Sequence, residues 1–428
     1  MKRREFVKGS AAALAALGLA DFMKAFAAGT ADPAVGQALA KWQPGHFQVH
    51  AIYTGVAESM FIIYPDGTTL LIDVGDHAAH LRGNKCIPIL PSLERHAGEW
   101  ISRYILRVNP NGKKVDRFLL SHYHSDHCGG NGYFAGRSAD GSYYKSGIGQ
   151  ALDFLDFGFA IDRASPDFKD PLPLPVDHMG VMKHLKGVYA EMKRRGTKVE
   201  KFRLEKGSTQ LDPLHGKVDG FAIRPLCANG RILKEDGTVV DLYKHLVEAP
   251  KRPKMFNENG MSIGMIFTYG KFRFYTAGDF SDGIVNAKGQ RIQVENELGK
   301  YCGPVNLAKV NHHGHRSMSR NLVKNLQAQV YFACMWDQLH MTPDTMARLN
   351  DPKNGTLERL YCMQVLTKER RAQDKGADWI ARVPKCVYEP KHLVFDVPPG
   401  GETFKVSFVR AADESMTVES VMNFKTRG

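Results

Sequence analysis

The order of hydrophobic and polar positions predicts that strands and helices are mixed along most of the chain. Apolar runs of strand length occupy 46–55, 59–64 and 68–74, and a Pro-Asp-Gly turn separates the last two. Similar runs recur further on, at 118–120, 221–226, 263–269, 272–279, 307–311, 330–335 and 403–409. Taken alone, this pattern indicates a mixed α/β class and no particular architecture.

Helical spacing predicts two further elements. Over 92–108 the apolar residues fall on one face, and Asn109-Pro110 ends the segment. A second helix is expected over 319–329, just before the apolar run at 330–335.

Candidate chemistry is concentrated in one stretch that follows a buried-strand pattern. Four potential metal ligands, His122, His124, Asp126 and His127, fall within six positions after Phe118-Leu119-Leu120. Imidazole and carboxylate groups are typical zinc ligands. If extended geometry persists, His122 and His124 point the same way, and the next two ligands turn toward a second position. The spacing therefore suits two adjacent metal ions better than one.

This stretch resembles the His-x-His-x-Asp-His signature of the metallo-β-lactamase superfamily. The resemblance implies a four-layered αββα sandwich over 45–428 and one or two divalent metal ions per chain, zinc first and manganese as a possibility. Among relatives, the hydrolase domains of DNA-uptake competence channels are the most similar. They carry Gly-Gln-Gly-Asp after the first strand, where this chain has residues 55–59, so either Glu58 replaces that carboxylate or the loop serves another substrate.

The resemblance also assigns roles outside the His-rich stretch. It implies that Asp73 orients the metal loop without binding metal. The Asn259 and Ser262 pair, followed by a hairpin, matches the supporting residues of the competence-type hydrolases. Asp279 corresponds to the carboxylate that bridges two metals. The last ligand is expected at His313, with His312 as the alternative.

This chain lacks the histidine that the third metal motif of the superfamily normally supplies. Its strand candidate, 221–226, is followed by Cys227-Ala228-Asn229 and not by histidine. Either Cys227 or Asn229 takes that place, or a distant histidine does, or the first metal is weakly held. The distant candidates are His178, His184, His215 and His245.

Residues from about 134 to 215 read as an insertion after the metal loop. It has a Pro-rich centre, and the spacing of Leu185, Tyr189 and Met192 predicts a helix near its end. Its position favours a lid that shapes the substrate site, although a structural insertion away from the cleft is the alternative.

His340 follows the end of the strand at 330–335 and is the candidate proton donor. Its alternative is a loop histidine packed on Trp336. His392, before the apolar run at 393–395, is a weaker candidate of the same kind.

The first 28 residues resemble a twin-arginine export signal. Arg3-Arg4 and Lys8 are followed by an apolar run too short to span a bilayer and by Ala25-Phe26-Ala27, a small-x-small cleavage pattern. A polar linker is expected over 29–44. These features predict export by the twin-arginine machinery into the periplasm, with no stable membrane anchor.

Composition is ordinary for a globular protein, with 43% hydrophobic residues, but the chain of 428 residues carries a net charge of +13. A basic protein favours anionic small-molecule partners, and nucleic acid is possible but not favoured. The seven cysteines include no Cys-x-x-Cys pair, so neither a disulfide framework nor a zinc ribbon is expected.

These observations predict a metal-dependent hydrolase in which Asp126 binds metal and orients a nucleophilic water. A phosphodiester or other phosphate ester is the first substrate class, and a lactone, thioester or lactam is the second. A non-catalytic protein with a decayed metal or ligand site is the alternative from another class. A redox di-iron protein is less favoured, because no flavin domain and no additional Glu ligand are visible.

Overall fold

The computed structural model describes residues 32–77, 87–131, 135–171, 180–244, 258–281, 284–285, 291–292, 294–355 and 358–427. The strands of the first sheet are β1 (Phe47–Ala51), β2 (Met60–Ile63), β3 (Thr69–Ile72), β4 (Lys114–Leu119), β5 (Asp156–Asp162), β6 (Lys198–Lys201), β17 (Lys391–Val397), β18 (Thr403–Arg410) and β19 (Val418–Lys425). Those of the second are β7 (Phe221–Ala228), β8 (Arg231–Leu233), β9 (Val239–Asp241), β10 (Gly264–Tyr269), β11 (Phe272–Ala277), β14 (Leu307–Lys309), β15 (Val330–Ala333) and β16 (Leu360–Met363). A small ribbon pairs β12 (Ile284–Val285) with β13 (Arg291–Ile292).

The α-helices are α1 (Ala97–Val108), α2 (Ser125–Cys128), α3 (Ile148–Ala151), α4 (Val181–Arg194), α5 (Val294–Cys302), α6 (Arg320–Leu326), α7 (Pro343–Asn350) and α8 (Lys368–Gln373). Short 3₁₀ turns occur at Glu258–Met261, Asn311–Gly314, Pro352–Asn354, Asp378–Arg382 and Lys385–Tyr388.

Each large sheet combines an antiparallel and a parallel part. The first has the order β19-β18-β17-β1-β2-β3-β4-β5-β6 and is parallel from β3 to β6. The second has the order β16-β15-β14-β11-β10-β7-β8-β9 and is parallel from β16 to β11. The ends of β4, β11 and β14 lead directly into the candidate site residues.

Strand side chains alternate between two hydrophobic clusters. In β2, Met60 and Ile62 join the cluster between the sheets, whereas Phe61 and Ile63 join the cluster under α1 and α4. Both faces are buried, which explains why these strands are continuously apolar in sequence. Ring contacts such as Phe332 to Phe395, at 4.8 Å between centroids, join the sheets directly. The expected αββα sandwich is confirmed.

The region predicted as an insertion over 134–215 is largely built into this architecture. Its strands β5 and β6 extend the first sheet beyond β4, and α4 packs against that sheet through Leu185, Tyr189 and Met192. β5, β6 and α4 thus form part of the scaffold, and a lid role for the rest of the insertion stays a prediction. Parallel pairing between segments far apart in sequence left no local signal.

Two other predictions fall partly within the described residues. The predicted linker at 29–44 packs along β19 from residue 32 onward, since Gly36 N donates to Val418 O at 2.8 Å and Leu39 N to Met416 O at 2.8 Å. The proposed export signal lies outside the described residues and remains a prediction. Within the part of the chain that is described, none of the helices has the length and apolarity to cross a membrane.

A buried ion pair connects the two sheets beside the metal loop. Arg163 follows β5, and Glu258 begins the turn before β10. The guanidinium donates to both carboxylate oxygens at 2.5 and 2.6 Å, and the two side chains are only 1% and 0% exposed. Glu258 Oε1 also accepts from Tyr123 N, in the metal loop, at 3.0 Å. Each partner would leave an uncompensated buried charge if the other were removed.

We expect Arg163→Met to lower the free energy of unfolding by about 3–5 kcal/mol, because Glu258 would remain buried without its partner. Denaturant unfolding measures this. The matched control is Lys113→Met, which breaks the exposed pair with Asp156 and should cost less than about 1 kcal/mol. Equal losses in the two variants would contradict the importance assigned to the buried pair.

Candidate metal centre

The metal loop begins where β4 ends and turns into the single-turn helix α2. His124 lies at the N-terminal boundary of α2, which carries Asp126 and His127. The backbone of Gly75 passes so close that a Cβ there would lie 1.7 Å from Asp126 O. Glycine is therefore required at this contact between the β3 end and the metal loop.

Four donor atoms from three segments converge in this region. His127 Nε2 lies 3.0 Å from Asp279 Oδ2 and 3.7 Å from Asp126 Oδ2. His313 Nε2 lies 3.1 Å from Asp279 Oδ2 and 3.2 Å from Asp126 Oδ2. Tetrahedral donors bound at ~2.1 Å are about 3.4 Å apart, so these four nitrogen–oxygen distances have the spacing of donors to one metal ion.

The Nδ1 atom of each imidazole, on the side of the ring away from the cluster, has its own hydrogen-bond partner. His127 Nδ1 lies 2.7 Å from Asp73 Oδ2, and Ser121 Oγ donates to the same oxygen at 2.7 Å. His313 Nδ1 lies 3.0 Å from Cys334 O. A proton on each Nδ1 directs the Nε2 lone pair at the cluster, which is how supporting residues orient metal-binding histidines. Asp73 thus has the position expected of a supporting residue.

The histidines and carboxylates of the cluster shift one another's pKa values. Burial lowers the pKa of His127, but Asp279, Asp126 and Asp73 outweigh it and hold that pKa well above its ordinary value. Burial acts likewise on His313, yet Asp279 and Asp126 raise its pKa to about 10. Burial raises the pKa of both cluster carboxylates, and the two histidines nevertheless hold it well below the usual range. Positive charge is therefore favoured at this point.

His122 and His124 form a neighbouring pair. His122 Nε2 lies 3.1 Å from His124 Nδ1, and the rings of His122 and His127 are 4.2 Å apart. Such a pair resembles two donors to a second ion. Within the described residues, however, these two do not belong to a group of three or more candidate metal donors.

The two residues proposed for the third metal motif lie elsewhere. Asn229 Nδ2 donates to Arg163 O at 2.7 Å and to Asp170 Oδ2 at 3.1 Å. Cys227 is buried in the core between the sheets, and its Sγ faces Gly264. Both side chains are thus engaged away from the four-atom cluster.

The distant histidines proposed for that role are also engaged elsewhere. His184 Nε2 lies 3.0 Å from Cys128 O, and His215 Nε2 lies 3.0 Å from Asp116 Oδ2. His178 and His245 lie outside the described residues.

Asn259 and Ser262 support different residues. Ser262 Oγ accepts from Asp279 N at 3.0 Å, which fixes the backbone at the end of β11. Asn259 Nδ2 lies 3.2 Å from Nε2 of His312. Between the adjacent histidines, His313 is therefore the one in the cluster, while His312 points toward Asn259.

Trp336 and His340 pack against the cluster from one side. The indole N–H of Trp336 lies 2.9 Å from Asp126 Oδ2 and 3.2 Å from His313 Nε2. His340 stacks on His313 at 4.7 Å, and its Nδ1 accepts from Trp336 N at 3.3 Å. Burial, then His313 and His312, hold the pKa of His340 well below its ordinary value. His340 therefore packs on both His313 and Trp336, and its role as a proton donor stays a prediction.

His392 is also buried, away from the cluster. Its Nδ1 accepts from Tyr53 N at 3.0 Å, and its ring lies 4.6 Å from that of Tyr104. Burial lowers its pKa to about 3.

Glu58 and Lys309 complete the surroundings. Glu58 lies within 4.8 Å of His127, Asp279 and His313 and is a conceivable fourth donor. Its oxygens, however, face Lys309 Nζ at 3.0 Å and His313 Nδ1 at 3.3 Å, on the side of the ring opposite to the cluster. We therefore assign Asp126, and not Glu58, to the four-atom set.

Three residues beside the cluster are not predicted as site residues from the sequence: Lys309, Trp336 and His77. His77 Nδ1 lies 2.8 Å from Ser125 Oγ, and its ring lies 4.6 Å from that of Trp336. The lysine carried one usable signal, since it is a charged residue inside the apolar run at 307–310.

Comparison with known proteins gives one family match and a similarity to solved structures. Residues 53–195 match the sequence profile of the metallo-beta-lactamase superfamily, a range that contains the metal loop. No curated protein matches the chain. Among solved structures, the chain is similar to CmlA, a diiron beta-hydroxylase from Streptomyces venezuelae, with 13% identity and a TM-score of 0.34 over 74% of this chain. The match covers 53% of that structure, so this chain spans about half of its length.

We expect Asp73→Asn to weaken metal binding about 10- to 100-fold, because the amide cannot hold His127 Nδ1–H as a carboxylate does. Competition with a chromophoric chelator measures the affinity. The control is Asp116→Asn, another buried aspartate, whose carboxylate binds Thr69 in the same sheet. If both variants bind metal like the parent protein, Asp73 does not orient the site.

Metal binding should also change tryptophan fluorescence, because Trp336 donates toward two of the four donor groups. We expect Trp336→Phe to remove most of the emission change that zinc causes. Trp379→Phe, which alters a tryptophan packed near Arg370, should retain it. A zinc response that persists without Trp336 would place the ion elsewhere.

Proposed function

We propose that this protein is a metal-dependent hydrolase acting on a phosphodiester or another phosphate ester. The observation that carries the proposal is a set of two imidazole nitrogens and two carboxylate oxygens in which every nitrogen–oxygen distance lies between 3.0 and 3.7 Å. Mixed nitrogen and oxygen donors suit a borderline divalent ion such as zinc, with manganese as an alternative.

The residues present fit such an ion. His127, His313, Asp126 and Asp279 would hold it, and the buried carboxylates would be compensated by its charge. When bound, a divalent cation supplies a Lewis acid and lowers the pKa of a coordinated water.

Asp126 is the donor best placed to meet an incoming water or substrate. Its side chain is 11% exposed, whereas those of His127, Asp279 and His313 are 0–1% exposed. A carboxylate at the open side can accept a proton from water and orient it for attack. The Trp336 indole N–H steadies the Asp126 oxygen for this task.

The substrate class is supported by the charge of the chain. A net charge of +13 favours anionic substrates in general. Phosphate esters combine negative charge with oxygens that a metal centre can polarise. Lactones, thioesters and lactams lack that charge, so a panel containing both kinds of substrate separates the two classes.

The test combines elemental analysis with hydrolysis of bis(p-nitrophenyl) phosphate by the full chain loaded with zinc or manganese. We expect Asp126→Ala to reduce the rate by more than about 100-fold, since loss of a supporting residue alone costs 10- to 100-fold. His46→Ala is the control, because His46 pairs with Asp396 in the first sheet, away from the cluster. It should change the rate less than about two-fold, as expected for a residue remote from the chemistry.

Several outcomes would contradict the proposal. Hydrolysis confined to lactones or thioesters would replace the substrate class. Tightly held iron without ester hydrolysis would favour redox chemistry, and no bound ion would favour a non-catalytic protein.

A further inference from the structure

We propose that Lys309 and Glu58 are positioning residues that hold Asp279 and His313 in metal-binding geometry, and that Lys309 restricts Asp279 to binding through Oδ2. The inference rests on the proposed function only in requiring a metal at the four-atom cluster. It gives a role to Lys309, a buried lysine that is not one of the four metal donors.

Both groups are fully enclosed by protein. Lys309 and Glu58 are each 0% exposed as residues, and their charged atoms lie 3.0 Å apart. A lysine is rarely buried to this extent unless it is paired. Burial tends to neutralise each group, while the attraction to Glu58 and Asp279 favours the charged lysine.

On one side, Lys309 reaches Asp279. Its ammonium donates to Gly278 O at 2.9 Å and lies 3.7 Å from Asp279 Oδ1. The other oxygen, Oδ2, is the one that faces His127 and His313. The two oxygens of Asp279 thus meet different cations. Rotation of the carboxylate would separate Oδ1 from Lys309, so the ammonium opposes a two-oxygen binding mode.

On the other side, Glu58 reaches His313. Glu58 Oε2 lies 3.3 Å from His313 Nδ1, whose other neighbour is Cys334 O. A proton on Nδ1 has acceptors on that side, which keeps Nε2 directed at the cluster. The chain Asp279–Lys309–Glu58–His313 therefore connects two of the four donors from behind.

This connection also crosses between the two sheets. Glu58 lies in the loop between β1 and β2, and Lys309 is the last residue of β14. Glu58 N donates to Asp126 O at 2.8 Å, so the same residue contacts the metal loop. One buried ion pair thus fixes the relative placement of donors that belong to separate layers.

The experiment uses the full chain loaded with cobalt(II), whose visible spectrum reports coordination number and donor geometry. Lys309→Met, Glu58→Gln and the double variant are compared with the parent protein, with chelator competition for affinity and thermal unfolding for stability. Lys391→Met is the matched control, because Lys391 is also a buried strand lysine, paired with Glu419 at 3.0 Å.

We expect Lys309→Met to weaken cobalt binding about 10- to 100-fold and to weaken the visible absorption, as a four-coordinate ion gains donors. Glu58→Gln should shift affinity in the same direction. The double variant should regain stability relative to Lys309→Met, since position 58 no longer carries a buried charge without its lysine, but it should not regain affinity. Lys391→Met should alter stability only.

An unchanged affinity and spectrum in Lys309→Met, or in Glu58→Gln and the double variant if Lys309→Met does not fold, would overturn the inference. Parental binding without ester hydrolysis would refute the proposed function and leave the positioning role intact. A parent protein that binds no cobalt at the cluster would overturn both.

Discussion

Burial of negative charge is the constraint on which this site depends. Asp73, Asp126, Asp279 and Glu58 are each at most 8% exposed and lie around one point between the sheets. An unpaired carboxylate in a protein interior costs several kcal/mol. Lys309 offsets one of the four charges, and the remainder requires protonated histidines or a cation. The same groups that would bind a metal are therefore groups that the fold can tolerate only with positive charge beside them.

The architecture explains how the donors meet. The metal loop leaves β4 in the first sheet, whereas Asp279 and the His313 turn leave β11 and β14 in the second. Parallel strands place such ends at one edge of a sheet, and the sandwich brings the two edges together. The ion pairs Arg163–Glu258 and Lys309–Glu58 lie at this junction, so charge both stabilises the contact and positions the donors.

Short stretches of the sequence were enough to predict much of the fold and of the candidate site. The family resemblance carried by residues 122–127 implied the fold and the metal loop, and the structure brings Asp126, His127, Asp279 and His313 together. Their role as ligands stays a prediction. Contacts between remote segments could not be foreseen. Lys309 and Glu58 form an ion pair although they lie far apart in the sequence. The pairing of β5 with β6 in the first sheet is also a contact between separate segments.

The central claim is that one ion is held by Asp126, His127, Asp279 and His313, with Glu58 and Lys309 behind them. A crystal structure of the zinc-loaded protein, measured at the zinc absorption edge, tests it most directly. We expect a strong anomalous peak about 2.0–2.2 Å from both Nε2 atoms and from Oδ2 of both aspartates. A peak bound by Glu58 in place of Asp126, or the absence of a peak between the sheets, would contradict it.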